Sequence, residues 1–146
     1  MRRFTQALPL ESRGEGESAL TALRREYLAA VARKDALAGF SGPEFARMIT
    51  SSPTLAARLR ELHQQREDAL AEALAAETGA RADAFAPRAA AALLAAAHRI
   101  LFHRALDLTV AGRTNRQIAG TLTKEADEVF ALLEPSLAGY AVREAA

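Results

Sequence analysis

Four polar side chains occupy positions where the hydrophobic pattern calls for apolar ones: His63, Arg66, Arg104 and Glu125. Leu55, Leu59, Leu62, Ala69, Leu70, Ala73 and Leu74 make a stripe when the chain turns at about 100° per residue, with Arg66 near its centre and His63 at its edge. Arg104 falls among Ala90, Leu93, Leu94, Ala97, Ile100, Leu101, Ala105 and Leu108. Glu125 falls among Ile118, Leu122, Ala126, Val129, Phe130, Leu133, Leu137 and Tyr140. An unpaired charge in a core costs several kcal/mol, so such residues find a partner, reach solvent or line a cavity. A partner means an ion pair of Glu125 with Arg66 or Arg104. Reaching solvent means an Arg stem lying on apolar surface with its head in water. A cavity means a mostly apolar pocket with a few convergent polar groups, the usual form of a small-ligand site. Its candidate lining is Met48, His63, Arg66, Leu70, Leu101 and Arg104, and either arginine would suit a small lipophilic ligand that is acidic or bears a carbonyl.

Other chemistry is thinly supplied. There is no Cys, which excludes disulfides and thiolate metal sites. The sequence contains no Walker-type loop, GxGxxG, nucleophile elbow or HExxH. His98 and His103 are five residues apart and point about 140° from each other on a helix, so they cannot share a metal unaided. With no nucleophile–base pair and no ligand set, we expect no enzyme, no metal and no cofactor.

The elements that must position these residues are helices. Ala, Leu, Arg and Glu dominate the 146 residues, half of which are apolar and only 5% aromatic; β-branched residues are sparse. The expectation is an all-α single domain of five to six helices. Arg2 to Leu8 reads as a short helical piece stopped by Pro9, and residues 11–17 as a polar loop. Ser18 to about Lys34 is a helix capped by Glu17 or Ser18. Pro43 opens a short helix with Phe45, Met48 and Ile49 inward. Ser52-Pro53 starts a long helix that runs to Thr78 and closes at Gly79. Residues 80–86 form a loop in which Phe85 packs back as a plug. Pro87 starts a helix ending near Gly112. Asn115 caps the last helix, which runs to about Val142, and Pro135 should kink it.

The helix from Pro87 is apolar on two sides. The Leu93–Leu101–Leu108 side suits this chain's own core. Ala91, Ala95, Phe102, Leu106 and Thr109 make a second side that asks for a partner, and a second copy is the simplest one. Together with Phe130, Leu133 and Leu137 they form the candidate dimer interface. A structural dimerisation or adaptor domain with a filled core is the alternative to a ligand-binding one.

The formal net charge is +1, so no global field favours nucleic acid or membrane. No run of about 18 uncharged apolar residues is present and the N-terminus lacks a signal-peptide pattern, which makes a cytoplasmic location the natural expectation. GRTNRQIAGTL, at Gly112–Leu122, is similar to the first half of a LuxR-type helix-turn-helix. The half that would read DNA, however, carries Glu125, Asp127 and Glu128 against Lys124 alone, and phosphates repel such a helix. One amphipathic helix with an Asn cap explains the segment better.

The order of elements, and SSPTLAARLRELHQQREDALAEALAAETG above all, followed by PRAAAALLAAAHRILFHRAL and ALLEPSLAGY, resembles the C-terminal regulatory domain of TetR-type transcription regulators. That resemblance implies a homodimer whose last two helices form a four-helix bundle with a second copy. It also implies a ligand in the core that alters the spacing of DNA-binding heads. The head, roughly 50 residues before Met1 in such proteins, is missing from this chain, so no operator DNA is expected to bind to it alone.

Overall fold

The computed structural model describes residues 18–81 and 83–141. The helical piece read at Arg2 to Leu8 and the loop at 11–17 lie outside them. The described residues are all-helical: α1 (Ala19–Ala32), a 3₁₀ turn (Ala36–Ala38), α2 (Pro43–Ser51), α3 (Pro53–Thr78), α4 (Phe85–Val110) and α5 (Asn115–Leu137).

Local signals account for most boundaries. Ser18 caps α1, its Oγ accepting from Thr21 N–H at 3.1 Å. Ser52 does the same for α3 through Leu55 N–H at 3.3 Å, with Pro53 at a first-turn position that has no N–H to satisfy. Gly79 ends α3 in the left-handed region (φ 68°), and Ala80 N–H closes back on Ala75 O at 2.9 Å. Three boundaries differ from the sequence reading. Helix α4 begins at Phe85, two residues before Pro87, because Pro87 still falls in the first turn where its missing N–H breaks no bond. The cap of α5 is Thr114, not Asn115. Gln117 N–H donates to Thr114 Oγ1 at 3.1 Å and Thr114 N–H donates to Gln117 Oε1 at 3.0 Å, the reciprocal T-x-x-Q box. Helix α5 continues through Pro135 but ends at Leu137, short of the Val142 expected as its end, and residues 138–141 form turns. Since α5 is one continuous helix from Asn115, the segment at Gly112–Leu122 contains no helix-turn-helix.

Helix α4 is the axis of the fold and touches every other described helix. It packs beside α3 and α5, and the larger core gathers Leu20, Tyr27, Val31, Leu70, Leu74, Leu94, Leu101, Ile118, Leu122 and Phe130 from α1, α3, α4 and α5. A smaller cluster joins Ala46 and Ile49 of α2 to Phe102 and Leu106 of α4, with Leu59 of α3 against it. The connector between α1 and α2 is laid directly on α4 by Gly39. There φ is 97°, and an added Cβ would stand 2.7 Å from Phe102 O and 2.8 Å from Ala105 Cβ, both parts of a packed helix that cannot yield. Gly39→Ala should therefore cost about 1–3 kcal/mol or more, read as a lower urea midpoint with an unchanged m-value.

Three burial expectations are corrected. Phe45 and Met48 are 51% and 52% exposed, because α2 turns Ala46 and Ile49 inward and their neighbours flank that line. Phe85 is 87% exposed rather than a plug. Most consequentially, α4 is covered over more of its circumference than one side: Leu94, Ala97, Leu101 and Ala105 are buried in the core as expected, and the second side is covered too. Phe102 and Leu106 are covered by α2 and α3 of the same chain, while Leu93 and Ile100 stand 42% and 62% exposed. Sequence periodicity finds both apolar sides of a helix, but α2, only nine residues long, decides whether the second is covered.

Candidate functional site

The polar residues that stood out in sequence separate into two places. At the α4–α5 contact, Arg104 Nε donates to both carboxylate oxygens of Glu125 at 3.1 Å. Of the two alternative partners for Glu125, Arg104 is the one it pairs with, at the rim of the interface and partly in water. An exposed pair of this kind is worth about 0.2–1 kcal/mol, so Arg104→Leu should leave stability within about 1 kcal/mol of the parent by chemical denaturation.

The second place is the seam between α3 and α4, where His63, Arg66, His98 and His103 meet around Phe102. The His63 ring stands edge-on to Phe102 at 5.0 Å between centroids, 6.0 Å from His98 and 5.9 Å from His103. His98 in turn stands edge-on to Tyr27 of α1 at 6.2 Å. The helical spacing explains the convergence: His63 and Arg66 are one turn apart on α3, as are His98 and Phe102 on α4.

The hydrogen bonds of this seam do not close. His98 Nε2 lies 2.8 Å from Leu37 O and 3.1 Å from Arg66 Nη1. A single ring nitrogen cannot donate to a carbonyl and accept from a guanidinium at once. With the proton on Nε2, Leu37 O is satisfied and Arg66 faces a nitrogen with no free lone pair. Without it, Arg66 is satisfied and the carbonyl faces a lone pair. Nearby, His63 Nε2 and Tyr27 Oη are buried without any hydrogen-bond partner. Burial lowers the His63 pKa to about 4, assisted by the positive fields of His103, Arg99 and Arg66. Burial lowers His98 to about 3, with Arg66 and His63 adding to the effect and the Leu37 carbonyl opposing it. Burial also lowers the Arg66 pKa. Burial, followed by the Glu125 carboxylate, raises Tyr27 and keeps its phenol protonated. Sequence reasoning singled out His63 and Arg66 but missed His98 and Tyr27. The signal for His98 was its position between Ala97 and Leu101 on the covered side of α4, readable only once that side is known.

The six candidate ligand residues do not converge on one cavity. Met48 is exposed, Leu70 and Leu101 belong to the filled core, and Arg104 is paired with Glu125. A cleft of ≈ 60 Å³ among Leu20, Thr21, Arg24, Phe130, Glu134 and Ala138, and an open groove along Leu28, Val31, Ala32, Ala119, Gly120 and Thr123, involve none of the six. The cleft is far below the ~300 Å³ of a drug-sized ligand pocket. Only His63 and Arg66 come together. Of the candidate interface residues, Ala91, Phe102, Leu106, Thr109, Phe130 and Leu137 are buried within the chain, and Ala95 and Leu133 are half-buried. Most of these side chains are thus held by the chain's own helices, and Thr109 donates its hydroxyl to Ala105 O at 2.7 Å.

What α4 does present is another apolar strip. Phe85, Ala89, Leu93, Ala96 and Ile100 follow at four- and three-residue steps along one line of the helix, all exposed except the half-buried Ala96. Leu132 of α5, 79% exposed, extends it. The Arg104–Glu125 pair fixes the register of these antiparallel helices, and Leu132 lies two turns beyond Glu125, level with the stretch between Leu93 and Ile100. Helix α4 has the length and composition of a membrane span, but its apolar surface divides between an arc taken up by the chain's own helices and this strip.

No family model, curated protein or solved structure matches the chain.

Proposed function

We propose that the chain is a self-associating regulatory domain of the TetR type. Its α4 and α5 helices would meet the same helices of a second copy in a four-helix bundle. One observation carries the reading: large apolar side chains stand exposed on both α4 (Leu93 and Ile100, with Ala89 and Ala96 beside them) and α5 (Leu132). A patch on two antiparallel helices can meet the same patch of a second copy about a twofold axis, and small residues beside large ones let helices approach to 8–10 Å. Each large side chain removed from water contributes about 1.5–3 kcal/mol, in proportion to the area it loses. The resemblance in helix order and phrasing supports the assignment, which carries with it a cytoplasmic location and DNA binding only through a head outside this chain. The experiment is sedimentation of the parent and of Ile100→Glu, with circular dichroism confirming the fold of each.

Two versions of this domain differ in whether the interior takes a ligand. A purely structural dimerisation domain is favoured by the closed Arg104–Glu125 pair and the filled core around Leu101. A ligand-responsive domain is favoured by the open hydrogen bonding around Arg66. In the second version the ligand prefers one arrangement of α3 against α4, and the change is passed along α4 to the interface.

A further inference from the structure

We infer that the α3–α4 seam is a binding site for a small organic monocarboxylate, with Arg66 as its anchor and His63 as its second donor. The inference rests on the ligand-responsive version of the domain and names the class of ligand it takes.

The first ground is the state of Arg66. Among the described residues no carboxylate lies within 4.0 Å of its guanidinium, nor of Arg99 across the seam. The one group that Arg66 reaches, His98 Nε2, is contested by Leu37 O. A half-buried guanidinium with no acceptor of its own is costly, and a carboxylate, which accepts two parallel N–H bonds from it, is the complement in shape and charge. Such an acceptor would free His98 to donate to Leu37 O, so one ligand resolves both conflicts.

The second ground is His63, 92% buried by its relative exposure of 8%, with Nε2 unpartnered. It lies one turn from Arg66 on the same side of α3. A neutral imidazole carrying its proton on Nε2 would donate to a carboxylate held by that arginine.

The surroundings select the ligand further. The groups facing the seam are His63, Arg66 and Glu67 from α3, His98, Arg99, His103 and Asp107 from α4, Tyr27 from α1 and the Leu37 carbonyl. Glu67 is engaged by Gln64 Nε2 at 3.4 Å, and Asp107 is exposed. Both buried imidazoles stay neutral near pH 7, so the positive charge facing the seam is that of Arg66 and, across it, Arg99. Phe102 stands against His63, Tyr27 against His98, and Leu70 follows Arg66 by one turn of α3, apolar neighbours suited to the hydrocarbon part of such an acid. At His103 the seam reaches solvent.

The test titrates the full chain at pH 7 with sodium benzoate and sodium hexanoate, with benzyl alcohol and inorganic phosphate as controls. The readouts are the imidazole Cε1–H resonances and the melting temperature. We expect a saturable shift of the His63 and His98 resonances with benzoate or hexanoate, a melting temperature raised by a few degrees, and neither with benzyl alcohol. Arg66→Met should fold and abolish both responses, whereas Arg66→Lys should retain a weakened one. Absence of a saturable shift in the parent overturns the proposal whatever the variants do. So does an equal response in Arg66→Met. A saturable response to phosphate alone overturns the carboxylate assignment. Sedimentation of the same samples keeps the outcomes separate: a dimer without a benzoate response removes the ligand and leaves the interface, and a monomer with one does the reverse.

Discussion

Acidification from pH 7 to pH 4 should unfold this protein, and the transition should follow the titration of two histidines. His63 and His98 have folded-state pKa values lowered to about 4 and about 3, against an ordinary value of 6.5. Below pH 6.5 the unfolded chain binds protons that the folded chain refuses, so stability is complete above that pH and falls as the pH drops towards 4. Each unit of separation is worth about 1.4 kcal/mol, so each group withdraws about 3 kcal/mol across the window. Together they remove a large part of the stability of a domain that has only about 5–15 kcal/mol to lose. The expected result is a urea midpoint that declines steeply between pH 6.5 and pH 4. The groups responsible are identified by His98→Gln and His63→Gln, whose midpoints should vary less over the same range than the parent's. If parent and variants decline in parallel, the histidines are not the cause. The physical basis is the seam itself: protonating His98 places a second charge against Arg66, and protonating His63 places one on a buried ring near Arg66, Arg99 and His103.

The second large effect is expected at Leu106. A reading of the sequence alone places it at a subunit interface, where a charged replacement would yield a folded monomer. In the structure it is 1% exposed and packs with Ala46, Ile49 and Phe102 of its own chain. Leu106→Ala should therefore cost about 2–5 kcal/mol, the price of removing a buried leucine and leaving a cavity. Leu106→Asp should unfold the chain outright, since the carboxylate has no partner there. Ile100→Ala, on the exposed side of the same helix, should change the stability of the monomer by less than about 1 kcal/mol. Thermal or urea unfolding, performed at concentrations where the chain is monomeric, separates these outcomes.

The contrast between Leu106 and Ile100 shows what the sequence could and could not carry. Class and order of elements were legible because caps and periodicity are local: Ser18, Ser52-Pro53 and Gly79 act where they stand. The T-x-x-Q box at Thr114–Gln117 was equally local, but lay one residue before the asparagine that drew attention. The two-sided apolarity of α4 and the core role of Leu94 and Leu101 were legible, whereas the covering of Phe102 and Leu106 and the exposure of Leu93 and Ile100 were not. The covering depends on where α2 docks, which Ala46 and Ile49 settle by packing on Phe102 and Leu106. His63 and Arg66 were visible as polar interruptions of an apolar stripe. His98 was not, because its significance comes from Leu37 in a 3₁₀ turn 61 residues away. The Glu125 partner was narrowed to two arginines by pattern, and geometry selects Arg104.

These observations give α4 two tasks on opposite sides. Its covered side carries His98, Leu101, Phe102 and Leu106 and holds the core and the polar seam. Its open side carries Leu93 and Ile100 and, with Leu132, faces outward. A ligand at the seam would act on the first side and be read on the second, through one rigid helix of 26 residues.

The most direct test of this account is sedimentation velocity of the parent beside Ile100→Glu over micromolar concentrations. The account predicts a parent dimer, and for Ile100→Glu a monomer with the parent's helical circular dichroism. A monomeric parent throughout that range, or an Ile100→Glu dimer as tight as the parent's, would contradict the assignment of the α4–α5 strip as the interface.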